Sequence, residues 1–101
     1  METIDTIQNK LKPIFLKEPI KKAVLFGSYA KGSFTESSDI DLVIDSEGLL
    51  LGLDFFRVLD EIVQTLNMDV DLFEVAEIVN GSPMEKTIQQ EGITIYERKV
   101  A

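Results

Sequence analysis

Two short segments that alternate in the same way constrain this chain most. In Asp39-Ile40-Asp41-Leu42-Val43-Ile44-Asp45, an extended backbone puts Ile40, Leu42 and Ile44 on one side and Asp39, Asp41, Val43 and Asp45 on the other. Met68 to Phe73 repeats the pattern: Met68, Val70 and Leu72 point one way, Asp69, Asp71 and Phe73 the other. Aspartate is disfavoured in strands. Two strands that each carry it on one face therefore call for a role for that face, and their aliphatic faces call for a cover.

The rest of the chain supplies the cover. Ile4, Ile7, Leu11, Ile14 and Phe15 recur at helical spacing, with Pro13 expected to kink or restart the helix. Ala23-Val24-Leu25-Phe26 is a short apolar run that stops at Gly27 and reads as a buried strand. Ser28 to Lys31 starts a short helix, and Gly32 to Ser38 is a loop. A further helix is expected from about Leu50 to Leu66, with Phe55, Phe56, Leu59, Ile62, Val63 and Leu66 as its buried stripe. Leu49-Leu50-Leu51-Gly52-Leu53 is expected to pack into the core, a hydrophobic partner or dimer surface being the alternative. Pro83 opens a last short helix that Gly92 ends, and Ile93 to Tyr96 is a final strand. The expected fold is α+β (α/β): one domain over residues 1–101, a small mixed sheet with helices on one face and the acidic face left open.

Composition removes several classes of function. The chain has 101 residues and is 45% hydrophobic, enough for one core. With 10 basic against 18 acidic residues its net charge is −8, which argues against a nucleic-acid groove or an anionic membrane surface. It holds no cysteine and no histidine, so disulfides, thiolate or imidazole metal sites and Ser/His triads are excluded. The polar, acidic N-terminus does not read as a signal peptide and no apolar run approaches a membrane span, so a cytoplasmic location is expected.

The acidic face suits transfer of a nucleotidyl group. In that reaction a hydroxyl attacks the α-phosphorus of a nucleoside triphosphate and pyrophosphate leaves. Two Mg²⁺ ions about 3.5–4 Å apart can clamp the attacking and leaving oxygens, and Mg²⁺ prefers carboxylate oxygens. Asp39 and Asp41, two apart on a strand and so roughly 6.5–7 Å apart along it, can hold such a pair. Asp71 can complete the site or accept the hydroxyl proton, although Asp69 has the same parity. Gly27 lets the backbone approach the triphosphate, the Ser28 hydroxyl can donate to it, and Lys31 offers a point charge to the leaving pyrophosphate.

Gly27-Ser28, Lys31-Gly32 and Ser38-Asp39-Ile40-Asp41-Leu42 resemble the signature of the DNA polymerase β-like nucleotidyltransferase superfamily. Within it the chain is similar to the minimal nucleotidyltransferases (MNT), including the MntA-type antitoxins. The likeness extends to Val70-Asp71-Leu72 and, more weakly, to Glu91-Gly92-Ile93-Thr94-Ile95-Tyr96. An arginine is more usual in the family where Lys31 stands; lysine keeps the charge but cannot grip a phosphate in bidentate fashion. The resemblance implies catalytic and metal-binding roles for Asp39, Asp41 and Asp71, and nucleotide binding by Gly27, Ser28, Lys31 and Ser38. It also implies an antitoxin that uses Mg²⁺ and ATP to transfer AMP to a tyrosine of a HEPN-domain RNase toxin. A homo-oligomer is compatible with it.

Other motifs fail. Gly27 to Gly32 has P-loop glycine spacing, but Ser33-Phe34 follows in place of Lys-Ser/Thr. An EF-hand would need oxygen ligands and a glycine where Leu42, Val43 and Ile44 stand. The rival reading is a binding module that neutralises its partner by occlusion with weak or no catalysis. The shortness of the chain favours it, since no second domain is there to form an acceptor pocket.

Overall fold

The aliphatic side of the central strand decides how the chain folds. In a computed structural model, which describes residues 3–33 and 38–99, Ile40, Leu42 and Ile44 are fully buried beneath two helices. Residues 34–37, part of the expected loop, lie outside the described residues. The first helix, α1 (Ile4–Lys17), begins at a capping box in which Thr3 and Thr6 each satisfy the other's backbone N–H. It runs on through Pro13 without restarting. Pro13 and Asn9 are both exposed, so the carbonyl that loses its N–H partner faces water.

Strand β1 (Lys22–Phe26) follows, then a single turn of helix, α2 (Ser28–Lys31), and strand β2 (Ile40–Asp45). Helix α3 (Leu53–Leu66) leads to strand β3 (Val70–Glu74) and a 3-10 turn, Val75–Glu77. Helix α4 (Pro83–Glu91) and strand β4 (Ile93–Glu97) complete the order. The sheet runs β3-β2-β1-β4: β1 pairs antiparallel with both β2 and β4, and β2 pairs parallel with β3. The mixed sheet is therefore present as read from the sequence.

Helices α1 and α3 supply the main core from one face. Ile7, Leu11, Ile14 and Phe15 of α1 and Val58, Ile62 and Leu66 of α3 meet Ala23, Leu25, Ile40, Leu42 and Ile44. Each such side chain contributes about 1.5–3 kcal/mol on burial. The stripe on α3 differs from expectation: Val58 is buried and Phe56 is 63% exposed. Val58, Ile62 and Leu66 are spaced by four and share one line along the helix, which Phe56 does not join.

The leucine run also departs from expectation. Leu50 is 3% exposed, whereas Leu49, Leu51 and Leu53 are 67%, 68% and 87% exposed. A polar staple explains this. Ser46 Oγ donates to Glu74 Oε2 at 2.5 Å and accepts from the Leu50 N–H at 3.1 Å. Glu47 and Gly48 take positive φ in the same turn, and α3 starts only after Gly52. Leu50 is thus turned inward and its leucine neighbours outward.

The second face of the sheet is not wholly open. Val43 on β2 is buried, and a cleft of about 180 Å³ separates it from Ile78, Ile88 and Gln89. At the end of α4, Gly92 comes so close to β1 that a Cβ would sit 2.7 Å from Val24 Cγ1 and 2.3 Å from the Ile88 carbonyl oxygen. Helix α4 and the residues after β3 therefore cover the far half of this face and, among the described residues, leave the Asp41 end uncovered.

Candidate active site

Parallel register brings two carboxylates together. Asp41, second residue of β2, is paired with Asp71, second residue of β3, so their side chains leave the sheet on the same face. Asp39 precedes β2 and is exposed; Asp69 precedes β3, and its carbonyl accepts the Ile40 N–H at 3.1 Å. Between the two candidates of equal parity, the register sets Asp71 against Asp41.

Asp41 also lies against the Gly27 turn. Gly27 has φ +77°, and a Cβ there would be 2.2 Å from Asp41 Oδ2. Glycine is required at this point for space and for backbone conformation at once. Ser28 opens α2 directly after it, and the Lys31 N–H closes the turn on the Gly27 carbonyl at 3.1 Å. Ser38 is half-buried next to Asp39. Gly27, Ser28, Asp39, Asp41 and Asp71 thus collect where β1 ends and β2 and β3 begin. Lys31 is exposed at the end of α2, with Nζ 3.3 Å from Glu91 Oε2. Tyr29 is fully buried in the main core, its hydroxyl 3.9 Å from Met68 Sδ, so it is a packing residue of α2.

The electrostatics of the pair are those of a site lacking positive charge. Burial, then the charge of Asp71 and a side-chain hydrogen bond with it, then the charge of Asp39, hold the Asp41 carboxyl above its usual range. A divalent cation would remove that repulsion, and carboxylate oxygens are the donors Mg²⁺ prefers. The donor chemistry fits such an ion, although among the described residues no three acidic side chains form a closed ligand set.

A ring pair borders the carboxylates. Phe26 is the register partner of Asp41 and Phe73 that of Val43. Their ring centroids lie 5.9 Å apart, so the rings meet across β2 on the carboxylate face. A roomier cleft of about 520 Å³ lies at the opposite edge of the sheet, between α1 and β4, and holds none of these carboxylates.

The family profile described as "Polymerase beta, Nucleotidyltransferase" matches residues 9–101. This chain belongs to the polymerase beta nucleotidyltransferase family. The family was legible in the motif of Gly27, Ser28, Asp39 and Asp41, and the chain is a nucleotidyltransferase by that membership. Among its relatives is a Methanocaldococcus jannaschii protein named "Putative protein adenylyltransferase". The two are 41% identical over 70 residues, covering 68% of this chain and 74% of the relative. Two solved structures share the fold. One is a toxin-antitoxin with AMP-PNP, at a TM-score of 0.78 and 20% identity over 91% of this chain and 74% of the other. The second is the complex of a tri-AMPylated Shewanella oneidensis HEPN toxin with an MNT antitoxin, at 0.73 and 17% over 95% and 74%.

Two residues that border this candidate site, Phe26 and Glu91, escaped the sequence reading. Parity with Asp71 already puts Phe73 on the acidic face, and the same alternation along Ala23 to Phe26 could have placed Phe26 there too. Glu91 carried no such signal: it meets Lys31 only because α4 folds back over β1.

Proposed function

We propose that this nucleotidyltransferase transfers AMP from ATP to a tyrosine hydroxyl of a partner HEPN toxin and acts as its antitoxin. The observation that carries the reading is the pairing of Asp41 and Asp71 in register, with Asp39 beside them and Gly27 pressed against Asp41. The relative named as an adenylyltransferase supports the reaction, and the antitoxin complex with an AMPylated HEPN toxin supports the acceptor.

In this reading Asp39, Asp41 and Asp71 hold Mg²⁺, which when bound supplies charge stabilisation for the attacking and leaving oxygens. Gly27 and Ser28 position the β- and γ-phosphates, Ser38 supports the nucleotide beside Asp39, and Lys31 offsets charge on the departing pyrophosphate. The hydroxyl oxygen bonds to the α-phosphorus, the bond to the bridging oxygen breaks, and the hydroxyl proton passes to Asp71. Phe26 and Phe73 shield one side of the carboxylates from water, which strengthens the interactions there.

The test is a transfer assay with Mg²⁺, a HEPN toxin encoded beside this gene, and ATP labelled at the α- or γ-phosphate. Label is expected on the toxin from the α position only, and none with Asp39→Ala/Asp41→Ala. Transfer by the folded double variant at the wild-type rate would overturn the assignment.

The exposed Leu49, Leu51 and Leu53 favour a second reading, neutralisation by occlusion. There the double variant still neutralises the toxin in cells, whereas the catalytic reading requires that neutralisation be lost while the complex persists.

A further inference from the structure

The placement of Lys31 does not match that of a side chain waiting for phosphate. Its ammonium lies 3.3 Å from Glu91 Oε2, at the last residue of α4. That oxygen is shielded from solvent and, among the described residues, accepts no hydrogen bond of good geometry. The Lys31 and Glu91 side chains as wholes are 51% and 37% exposed, so Lys31 balances that oxygen as a partly exposed ion pair. The C-terminal end of α4 adds partial negative charge at the same point. Lys31 is therefore held between α2 and α4 by its charge.

We propose that Glu91 is a positioning residue for nucleotide binding: it holds Lys31 in a latch that a triphosphate must open. The inference rests on the reading of Gly27 to Lys31 as the triphosphate turn. One ammonium cannot pair fully with both Glu91 and the β,γ-phosphates, so binding ATP breaks the Lys31–Glu91 pair and leaves the Glu91 oxygen poorly balanced. The latch lowers affinity for ligands that carry a β,γ-phosphate and leaves AMP alone. In a product complex, the departing pyrophosphate gives Lys31 back to Glu91, which favours release.

Titration calorimetry with Mg²⁺ and ATP, or with AMP, on the full chain tests this. Exposed ion pairs contribute about 0.2–1 kcal/mol, so Glu91→Gln is expected to tighten ATP binding by roughly 1.4- to fivefold. AMP affinity should not move, and Lys31→Met should weaken ATP binding. Glu97→Gln removes the same charge from an exposed position and should leave ATP affinity unchanged. Glu91→Ala serves as a second variant with the same expectation should Glu91→Gln fold poorly.

Three results would overturn the latch: weaker ATP binding by the Glu91 variants, equal tightening for AMP, or equal tightening in Glu97→Gln. The first would mean that Glu91 orients Lys31 toward the phosphates. Absence of ATP binding by the wild-type chain would instead overturn the nucleotide reading of the turn. Unchanged ATP affinity in Lys31→Met would remove Lys31 from triphosphate binding, and the latch with it.

Discussion

A methyl group on Gly27 would lie 2.2 Å from Asp41 Oδ2. The residue that shapes the turn and the residue with the raised carboxyl pKa are therefore in contact, and neither can change without moving the other. Their contact joins the end of β1 to the start of β2 at the point where Asp71 also arrives.

Gly27→Ala should accordingly disable the site and weaken the fold. The new Cβ displaces the Asp41 carboxyl, and φ +77° is strained for any residue with a side chain. A loss of about 1–3 kcal/mol in urea unfolding is expected, together with loss of transfer. Unchanged stability and transfer would show that the turn has room the structure does not display.

Asp41→Asn should stabilise the metal-free protein while abolishing transfer. Because the folded-state pKa of Asp41 is raised, the folded chain holds its proton more tightly than the unfolded chain does. That contribution to stability is fully present below the unfolded value of about 3.9. It is lost as pH rises through the folded value. The variant should match wild type near pH 3 and exceed it in Tm at pH 7. Mg²⁺ should raise the Tm of wild type and have a smaller effect on the variant, since only a ligand that prefers the folded state stabilises it. A Tm difference independent of pH would contradict burial and carboxylate repulsion as the origin of the raised pKa.

Leu50 and Leu51 are neighbours with opposite expected outcomes. Leu50→Ala empties a core position and should cost about 2–5 kcal/mol. Leu51→Ser should leave stability within about 0.5 kcal/mol of wild type. If the exposed leucines meet the toxin, Leu51→Ser also weakens the complex in a pull-down with purified toxin. Retention of full binding by a Leu49→Ser/Leu51→Ser/Leu53→Ser variant would remove this surface from the interface.

How much was legible varies with how local the cause is. Thr3 and Thr6 close a capping box three residues apart, and the alternation from Ile40 to Ile44 is set by strand geometry, so both could be read directly. The helix does not restart at Pro13 because it tolerates a missing hydrogen bond on its solvent side, and which side that is depends on packing. The leucine run was misread for a similar reason. Ser46 follows the end of β2 and Glu74 ends β3, and their hydrogen bond turns Leu50 inward.

Local pattern alone specifies two strands with an acidic face, a glycine turn before them and the family motif they share. Each is a matter of side-chain type at short spacing, where backbone geometry leaves few choices. Long-range packing sets Asp71 against Asp41, lays α4 over half of the acidic face and pairs Lys31 with Glu91. Those outcomes follow from strand register and from packing between residues far apart in the chain. Such contacts are selected by the summed fit of the whole core, and no local stretch of sequence contains that sum.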